Sequence, residues 1–384
     1  MTKTSIVFTG DIGFDKHMDG KWEDEQLFSQ PVLDFFHSAD HVCANVEGAL
    51  YDAPKDENRG NFFHAMNPAA TKALEKIGAK IWSIGNNHTM DAGSEGIAST
   101  INIAKQKGCR AFGAGLNIDG ASASLYLDEA GGIGMIGVTY MNDCIPATET
   151  EPGIFRWDDM ELISTRIAEI KEKCRWCIVV AHGGEEFAAM PLPYTRNRYL
   201  KYLEMGADVV VGHHPHVPEN YELFDDGKAI FYSLGNFIFD TNYQRVHLYT
   251  EKGILLKLLF TEEKMDFEAV GIQILRGKEQ IDIAPLPDIF TNIPASDFEL
   301  LAPLSAKAFV EEEKRKMVFL KPGKFDNYTQ SDWENYLSTR ISSSYYKDAH
   351  QDFGYIIPYS KVAETNKWQE SKLDKVKEYI LAQL

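Results

Sequence analysis

The sequence predicts a mixed α/β fold, and three observations support this prediction. Strand-like and helix-like segments alternate through the first 240 residues of the 384-residue chain. Several strand-like segments are apolar throughout, which is typical of strands that are buried on both faces. Six segments place a side chain suited to metal binding directly after a run of β-forming residues. Because the carboxyl ends of strands in an α/β sheet line a shared crevice, these side chains are expected to converge on one site.

The predicted elements alternate in chain order, with one exception. Strand-like runs occupy residues 5–9, 41–46, 80–84, 177–181, 208–211 and 229–234. Helix-like runs occupy residues 26–37, 67–77, 94–107, 158–173 and 195–205. The exception is the stretch 121–140, where two strand-like runs flank a glycine-containing turn at 129–132 and predict a β-hairpin.

The pattern changes beyond about Gly253 to a few strand-like runs, then loops with prolines, then polar helical sequence up to Leu384. We therefore place a domain boundary near residue 250. Residues 1–250 would form the domain that carries the site. Residues 251–384 would add strands and helices that pack on this core.

Charge and composition restrict the classes of partner. The formal net charge of −18 argues against nucleic acid as a partner, because no basic stripe is present to neutralise phosphates. Five cysteines without framework spacing are typical of reduced thiols in a reducing compartment. A strand-like run begins at Ser5, and no apolar run reaches the roughly 18 residues of a membrane span. The sequence therefore predicts a cytoplasmic protein without a membrane segment.

Two carboxylates stand at strand ends near the N-terminus. Asp11 follows Gly10, and an Asp in that setting is also common as a turn residue or a helix cap. Glu47 ends an apolar strand that has no structural need for a carboxylate. A carboxylate there can bridge two cations and neutralise part of their charge.

The segment 85–93, GNNHTMDAG, is the densest polar turn in the chain. The Asn87 carbonyl is a serviceable oxygen ligand, and His88 could act as an acid or a base near neutral pH. Asp91 could hold the second nitrogen of that imidazole. The alternative is an ordinary turn whose polar groups satisfy one another.

Histidines dominate two further strand ends. His182 ends one apolar strand, and His213, His214 and His216 follow another. So many imidazoles at the end of an apolar strand indicate a charged ligand that gathers them. Residues two apart in extended backbone point the same way, so His214 and His216 are the predicted pair, with His213 as the spare that points elsewhere. Imidazole and carboxylate ligands together suit Zn, Mn, Fe or Ni better than Ca.

Three further residues are candidates for substrate binding. Glu185 lies three residues after His182, and Asn236 follows an apolar strand. Arg196 lies near a predicted helix start, where its guanidinium could bind a phosphate or carboxylate through two hydrogen bonds. The alternatives are a helix cap for Glu185, a turn residue for Asn236 and a surface charge for Arg196.

Taken together, these motifs resemble the CapA capsule-synthesis family, also called the poly-γ-glutamate synthesis protein family. They occur in order from residue 5 to about 240: GD at 10–11, NVE at 45–47, NNHTMDAG at 86–93, HGGEEF at 182–187, GADVVVGHHPHV at 206–217 and YSLGNFIFD at 232–240. That family is similar to the calcineurin-like metallophosphoesterases. The resemblance implies a four-layer α/β/β/α sandwich with a C-terminal extension, in which two sheets flanked by helices hold a two-metal site at the strand ends.

The resemblance also divides the ligands between two divalent ions. Asp11 and His216 would bind the first ion, and Glu47 would bridge both ions where the superfamily usually has Asp. Residue 13 is Gly where the superfamily often has His, which implies a weaker first site. His88 would be the catalytic imidazole. The second ion would be bound by Asn87, His182 and His214.

The activity implied by the resemblance is that of a dinuclear metal-dependent phosphoesterase with a small anionic or polymeric substrate. A free imidazole at position 88 favours an enzyme, because a purely structural metal does not require one. Two alternatives stay open. The chain could be a non-catalytic accessory protein with partners in γ-polyglutamate or polysaccharide capsule assembly, or it could hydrolyse a γ-glutamyl amide bond with the same residues. Members of the family are often membrane-anchored and face outward, which differs from the cytoplasmic location expected here.

Overall fold

A computed structural model describes residues 3–14, 16–52, 63–140, 144–341 and 373–384. These residues form a mixed α/β structure, which confirms the predicted fold class. The strands of the described part are β1 (Thr4–Ile12), β2 (His41–Val46), β3 (Ala49–Leu50), β4 (Ala65–Met66), β5 (Ile81–Ser83), β6 (Arg110–Phe112), β7 (Ala114–Gly115), β8 (Leu125–Leu127), β9 (Ile133–Thr139), β10 (Gly153–Ile154), β11 (Trp176–His182), β12 (Val209–His213), β13 (Tyr221–Leu223), β14 (Ala229–Phe231), β15 (Asn236–Ile238), β16 (Lys252–Phe260), β17 (Met265–Leu275) and β18 (Gln280–Ala284).

Helices connect and cover these strands. In the described part they are α1 (Gln30–His37), α2 (Thr71–Lys76), α3 (Gly93–Gln106), α4 (Ile118–Ala121), α5 (Met160–Lys173), α6 (Pro193–Glu204), α7 (Ala295–Leu320), α8 (Gln330–Ile341) and α9 (Asp374–Leu381). No helix within these described ranges combines the length and the apolar character needed to cross a membrane.

Most strands belong to two large sheets. The first has the order β18-β17-β16-β1-β2-β5-β6, with β15 also paired to β1. Its strands β1, β2, β5 and β6 run parallel, and β16 to β18 extend it in antiparallel fashion. The second has the order β13-β14-β12-β11-β9-β8, with a parallel centre and antiparallel edges. Every residue of β11 is buried, as expected for a central parallel strand.

Three clusters of buried side chains show that sheets and helices form four layers. Between the sheets, Phe8 of the first sheet packs in one cluster with Ile178 and Val211 of the second. The outer face of the first sheet packs against α1, α2 and α3. The outer face of the second sheet packs against α5 and α6. This α/β/β/α order is the one that the resemblance implied.

Local signals explain where individual elements agree with or differ from the prediction. Helix α1 begins at Gln30 rather than at residue 26, because Ser29 is extended and Pro31 occupies the first turn. The predicted hairpin is present as the antiparallel pair β8 and β9, with Ala130 in the left-handed region between them. Strand β1 extends to Ile12, three residues beyond the predicted end, so Asp11 belongs to the strand itself.

The boundary placed near residue 250 does not separate two sheets. Strand β16 pairs with β1 over five residues, from Thr4 opposite Phe260 to Phe8 opposite Leu256. The strands after residue 250 therefore continue the sheet that the N-terminal strand begins. Helices α7 and α9 pack together in a separate apolar cluster that includes Ala189 and Met190 from the loop after β11.

The layer between the two sheets predicts a large stability effect at its centre. Ile178 has no exposed surface there, so Ile178→Ala should lower the free energy of unfolding by about 2–5 kcal/mol through lost burial and a cavity. Ile145 is 53% exposed, and Ile145→Ala should change it by less than about 0.5 kcal/mol. Urea unfolding followed by circular dichroism would measure both variants, and equal effects would contradict the described packing.

Candidate metal centre

The site lies where the ends of the two sheets meet. Asp11 lies near the end of β1, with Asn45 and Asn236 as its neighbours in register on the adjacent strands. In the second sheet, His182 ends β11 and pairs in register with His213, which ends β12. The carboxyl ends of strands from both sheets thus place these side chains at one rim, as the sequence predicted.

A first group of possible metal ligands consists of Asp11, Glu47 and His182, whose ligand atoms all lie within 4.8 Å of one another. Neither carboxylate has exposed surface. Glu47 lies at the centre, because its Oε1 is 3.7 Å from His182 Nε2, 3.5 Å from His216 Nε2 and 3.9 Å from His88 Nε2. These distances are longer than hydrogen bonds. The Glu47 carboxylate together with the His182 and His216 nitrogens suits a shared cation.

A second group consists of Glu186, His214 and His216, again with ligand atoms within 4.8 Å of one another. The two groups adjoin each other, because His216 Nδ1 lies 3.1 Å from Asp11 Oδ2. The rings of His182 and His214 are 5.1 Å apart between centroids, which is close enough for the predicted convergence on one centre. The resemblance placed His182 with His214 and paired His216 with Asp11, whereas the grouping by distance joins His214 and His216 through Glu186.

The backbone after β12 reaches the site by a different route from the predicted one. His214 has a φ of 98° and His216 a φ of 59°, so neither residue is extended, and alternation along a strand does not direct their side chains. The prediction that His213 points away from the site is wrong, because its Nδ1 lies 3.4 Å from Asp11 Oδ1. Non-glycine residues with positive φ cost of order 1–3 kcal/mol each and concentrate at functional sites.

Two glycines let the strands approach closely just before the ligands. A Cβ added at Gly10, directly before Asp11, would lie 2.2 Å from the carbonyl oxygen of Gly235. A Cβ added at Gly212, directly before His213, would lie 1.9 Å from the carbonyl oxygen of Tyr232. Any side chain at either position would therefore push the ligand-bearing strand ends apart.

A hydrogen-bond relay links the turn after β5 to the cluster. His88 Nδ1 lies 2.8 Å from Asp91 Oδ2, and the Asn87 amide nitrogen lies 2.9 Å from His88 Nε2. The Asn87 oxygen lies 2.8 Å from His182 Nε2. This pattern assigns the His88 proton to Nδ1, since Asp91 accepts there and the Asn87 N–H donates to Nε2.

The relay continues to the first group of ligands. The Asn45 amide donates to Asp11 Oδ1 at 2.8 Å and lies 3.4 Å from His182 Nδ1. His216 Nδ1 also lies 2.9 Å from the side-chain oxygen of Asn236. Amide side chains thus orient both a carboxylate and two imidazoles of the cluster.

The protonation behaviour of the cluster reflects its buried negative charge. Burial alone would raise the pKa of Asp11, but hydrogen bonds and charges from His213 and His216 hold it well below its usual value. Burial alone would lower the pKa of His216, but Glu47 and Asp11 raise it to about 10. Burial lowers the pKa of His214 to about 4, against the opposing charge of Glu186. The carboxylates therefore favour a positive charge on His216, whereas burial favours the neutral form of His214.

His88 is the candidate acid or base. Burial and the nearby His64 lower the pKa of its imidazole, and Asp91 partly opposes this effect. The ring of His64 meets that of His88 edge-on, with 4.2 Å between centroids. The backbone N–H of His64 also donates to Asp91 at 2.8 Å. His64 therefore belongs to the surroundings of His88, although the sequence motifs did not include it.

Two of the three predicted substrate-binding residues have other partners. Glu185 accepts hydrogen bonds from the Leu192 N–H at 3.1 Å and the Thr195 hydroxyl at 2.9 Å, so it is bound to the start of α6. Burial raises its pKa to about 7. Arg196 forms a bidentate ion pair with Glu222 at 2.6 and 2.9 Å. It is therefore not a surface charge, and these contacts do not direct it at the cluster. The geometry gives no support to a substrate role for either residue.

Asn236 has a different position, because it contacts the cluster itself. Its amide nitrogen donates to Gln244 and to the Thr250 carbonyl, and its oxygen lies against His216. These bonds fix the side chain as a support for His216. Direct contact between Asn236 and a substrate stays a prediction.

Sequence reasoning missed one possible ligand, Glu186. It lies in the irregular loop after β11, four residues past His182, and its Oε2 lies 2.6 Å from Lys316 Nζ. Burial alone would raise the pKa of Glu186, but Lys316 keeps it well below its usual value. The signal was the pair of acidic residues in HGGEE. Glu185 is bound to the start of α6, and Glu186 lies at the site.

The geometry predicts which substitutions remove bound metal. His182→Ala and His214→Ala each delete one ligand from a different group, so each should weaken Mn²⁺ or Zn²⁺ binding by at least about tenfold. His37 is exposed and contacts the Lys76 carbonyl, so His37→Ala should bind metal like the wild type. Calorimetric titration of metal-stripped protein would measure the affinities. Wild-type affinity in both site variants would contradict the assignment of ligands.

Comparisons with known proteins agree with the motifs. Residues 5–241 match the family model described as bacterial capsule synthesis protein PGA_cap. The chain is similar to the PGA biosynthesis protein CapA of Bacillus subtilis, with 29% identity over 63% of this chain and 64% of that protein. It is also similar to the capsule biosynthesis protein CapA of Bacillus anthracis, with 27% identity over 63% of this chain and 61% of that protein. The chain thus spans less than two thirds of the length of these relatives.

More distant matches have lower identity. A probable polyglutamine synthesis accessory protein of Mycobacterium tuberculosis is 23% identical over 53% of this chain and 57% of that protein. Among solved structures, TT1561 of Thermus thermophilus covers 70% of this chain and 99% of its own, with 11% identity and a TM-score of 0.36. The family match covers well over half of the chain, and the protein therefore belongs to the PGA_cap family of bacterial capsule synthesis proteins, the CapA family that its motifs resemble.

Proposed function

We propose that the protein is a metal-dependent hydrolase of the phosphoesterase type that acts in capsule or poly-γ-glutamate synthesis. The observation that carries the proposal is the position of His88. Its imidazole is held by Asp91 on one side and lies 3.9 Å from Glu47, the carboxylate at the centre of the ligand cluster, on the other. A site that served only to bind metal would not require a proton-transferring group beside its central ligand.

The donor atoms suit divalent metal ions. Three carboxylates, from Asp11, Glu47 and Glu186, stand among imidazoles in a buried setting, where unbalanced negative charge is costly. Among the described residues, Asn45 Oδ1 and His214 Nδ1 are buried without a hydrogen-bond partner. Nitrogen and oxygen donors of this kind favour Zn, Mn, Fe or Ni over Ca. Two ions bound there would supply Lewis-acid activation of a water molecule and of a phosphoryl oxygen.

The residues around the centre would handle the proton. Asp91 accepts a hydrogen bond from the Nδ1–H group of His88, which leaves Nε2 as the atom that can take up and release a proton during the reaction. Nε2 would take up the proton that the attacking water releases, and Asp91 would stabilise the resulting imidazolium. From that form, His88 would deliver the proton to the leaving oxygen. Asn87 keeps the ring oriented through its hydrogen bond to Nε2 until the substrate displaces it.

Replacement of His88 tests the proposed function. His88→Ala should lower kcat by about 10²- to 10⁴-fold, the usual effect of losing an acid or base. Bound metal and unfolding temperature should stay close to those of the wild type, because the His88 side chain forms its hydrogen bonds with Asp91 and Asn87. The assay is hydrolysis of aryl phosphate mono- and diesters with added Mn²⁺, and His37→Ala is the matched control. Loss of metal from the His88 variant, or an unchanged kcat, would count against this division of roles.

A second candidate is favoured by the relatives, which are named for poly-γ-glutamate and polyglutamine synthesis. In this case the same residues would hydrolyse a γ-glutamyl amide, or the metal centre would bind carboxylates of the polymer while capsule-assembly partners perform the synthesis. Incubation with poly-γ-glutamate, followed by measurement of its chain length, separates these cases from a phosphoesterase. Shortened polymer with intact aryl phosphates would favour amide hydrolysis.

A further inference from the structure

A buried cation reaches the candidate metal centre from outside the family match. Lys316 belongs to α7, whereas the match ends at residue 241. Its side chain is only 10% exposed, and its Nζ lies 2.6 Å from Glu186 Oε2. Buried lysines are rare unless they are paired, and the nearer of two acidic partners of Lys316 is Glu186, a possible ligand of the second group, while Glu313 lies at 3.8 Å. The C-terminal region therefore contacts the centre directly.

The position of Glu186 explains why such a partner is needed. Asp11 and His182 belong to strands, whose backbone fixes the direction of the side chain. Glu186 instead lies in an irregular loop, and a carboxylate on such a loop has several accessible rotamers. Two donors restrain it, because the Tyr243 hydroxyl also donates to its Oε2, at 3.3 Å. Lys316 supplies the shorter and charged bond of the two.

The same C-terminal elements hold the loop that follows Glu186. The backbone oxygen of Phe187 accepts from the Gln383 side chain at 2.6 Å, and the Ala189 N–H donates to the same side chain at 3.1 Å. Ser305 of α7 donates to the Met190 carbonyl at 2.6 Å. The loop from residue 186 to 190 is therefore attached to α7 and to the end of the chain along its whole length.

An apolar stack connects this loop to the second ligand group. The Phe187 ring stacks on His247 with 3.7 Å between centroids, and it lies nearly parallel to the His216 ring at 6.1 Å. His247 in turn contacts Glu312 of α7 at 2.6 Å. The Phe187 side chain, directly after Glu186, is thus packed between the possible ligand His216 and His247, which contacts α7.

We propose that Lys316 is a positioning residue for the metal centre, which holds the Glu186 carboxylate within reach of the ion that His214 and His216 bind. This inference rests on the metal-dependent part of the proposed function. A lysine that was merely a counter-ion to Glu186 would repel a nearby cation and compete for the carboxylate. The two roles therefore predict opposite effects of removing the charge. Metal binding should weaken if Lys316 positions the ligand, and it should strengthen if Lys316 only competes for the carboxylate.

The test is calorimetric titration of the full, metal-stripped chain with Mn²⁺ and, separately, Zn²⁺. Lys316→Met should weaken the binding of one ion by roughly 10- to 100-fold, the usual effect of losing a residue that orients a ligand. Glu186→Gln should weaken the same ion, and the double variant should bind no worse than Glu186→Gln alone, because both changes disable one ligand. Lys316→Arg, which keeps the charge and can still donate to Glu186, should restore most of the affinity.

A matched control is available on the same helix. Lys314 pairs with Glu311 at 2.7 Å, and Lys314→Met should leave metal binding unchanged. Circular dichroism and thermal unfolding of each variant separate a failure to fold from a loss of metal. If Lys316→Met does not fold, Lys316→Arg and Lys316→Gln carry the test: Lys316→Gln should bind the ion more weakly than Lys316→Arg, and equal affinities would overturn the assignment.

The wild-type titration is interpreted first. A wild type that binds no metal overturns both the proposed function and the role of Lys316. If the wild type binds metal and Lys316→Met binds it equally well or more tightly, only the role of Lys316 is overturned. Conversely, metal binding that falls in Lys316→Met, together with a wild type that hydrolyses none of the phosphate esters, supports the role of Lys316 and rejects the phosphoesterase.

Discussion

The burial of carboxylates at the rim between the two sheets is the constraint on which the rest of the site depends. Asp11 and Glu47 have no exposed surface, so bulk solvent does not contact them and screens their charge only weakly. Like charges repel strongly where the dielectric constant is low, so the fold must either gather positive charge around them or leave them protonated. This fold gathers positive charge: histidines surround Glu47, and the carboxylates raise the pKa of His216.

The architecture delivers those groups by two different means. Strand ends carry Asp11, His182 and His213, so strand pairing fixes their backbone positions, and the Asn45 amide then helps to orient the Asp11 and His182 side chains. His214 and His216 come after the last paired residue of β12. Their backbone is left-handed, which is costly for a residue with a side chain. Hydrogen bonds from the His214 N–H to Asp11 and from His216 to Asn236 offset part of that cost. Regular strands therefore define one part of the site, and costly left-handed backbone defines the other.

This difference explains what the sequence could predict. The alternating pattern identified the strands that carry Asp11 near the end of β1 and His182 at the end of β11, and these two candidate ligands follow from that placement. His213 was assigned to the wrong direction, because the alternation rule was applied beyond the end of β12. Glu186 and Lys316 are 130 residues apart, and no local pattern indicates their contact. The pairing of Arg196 with Glu222 is of the same kind, since a residue on a distant strand decides which anion the guanidinium binds.

The contribution of α7 also bears on how the family motifs relate to the working site. The match to the family ends at residue 241, and it contains every strand-end ligand. Glu186 lies within the matched region, yet the groups that restrain it include Lys316, which lies outside. A ligand on a loop can be adjusted by changing what packs against it, whereas a ligand on a central strand cannot move without disturbing the sheet. If Lys316 has the proposed role, the C-terminal region is a part of this chain in which metal affinity could change while the motifs at the strand ends stay the same.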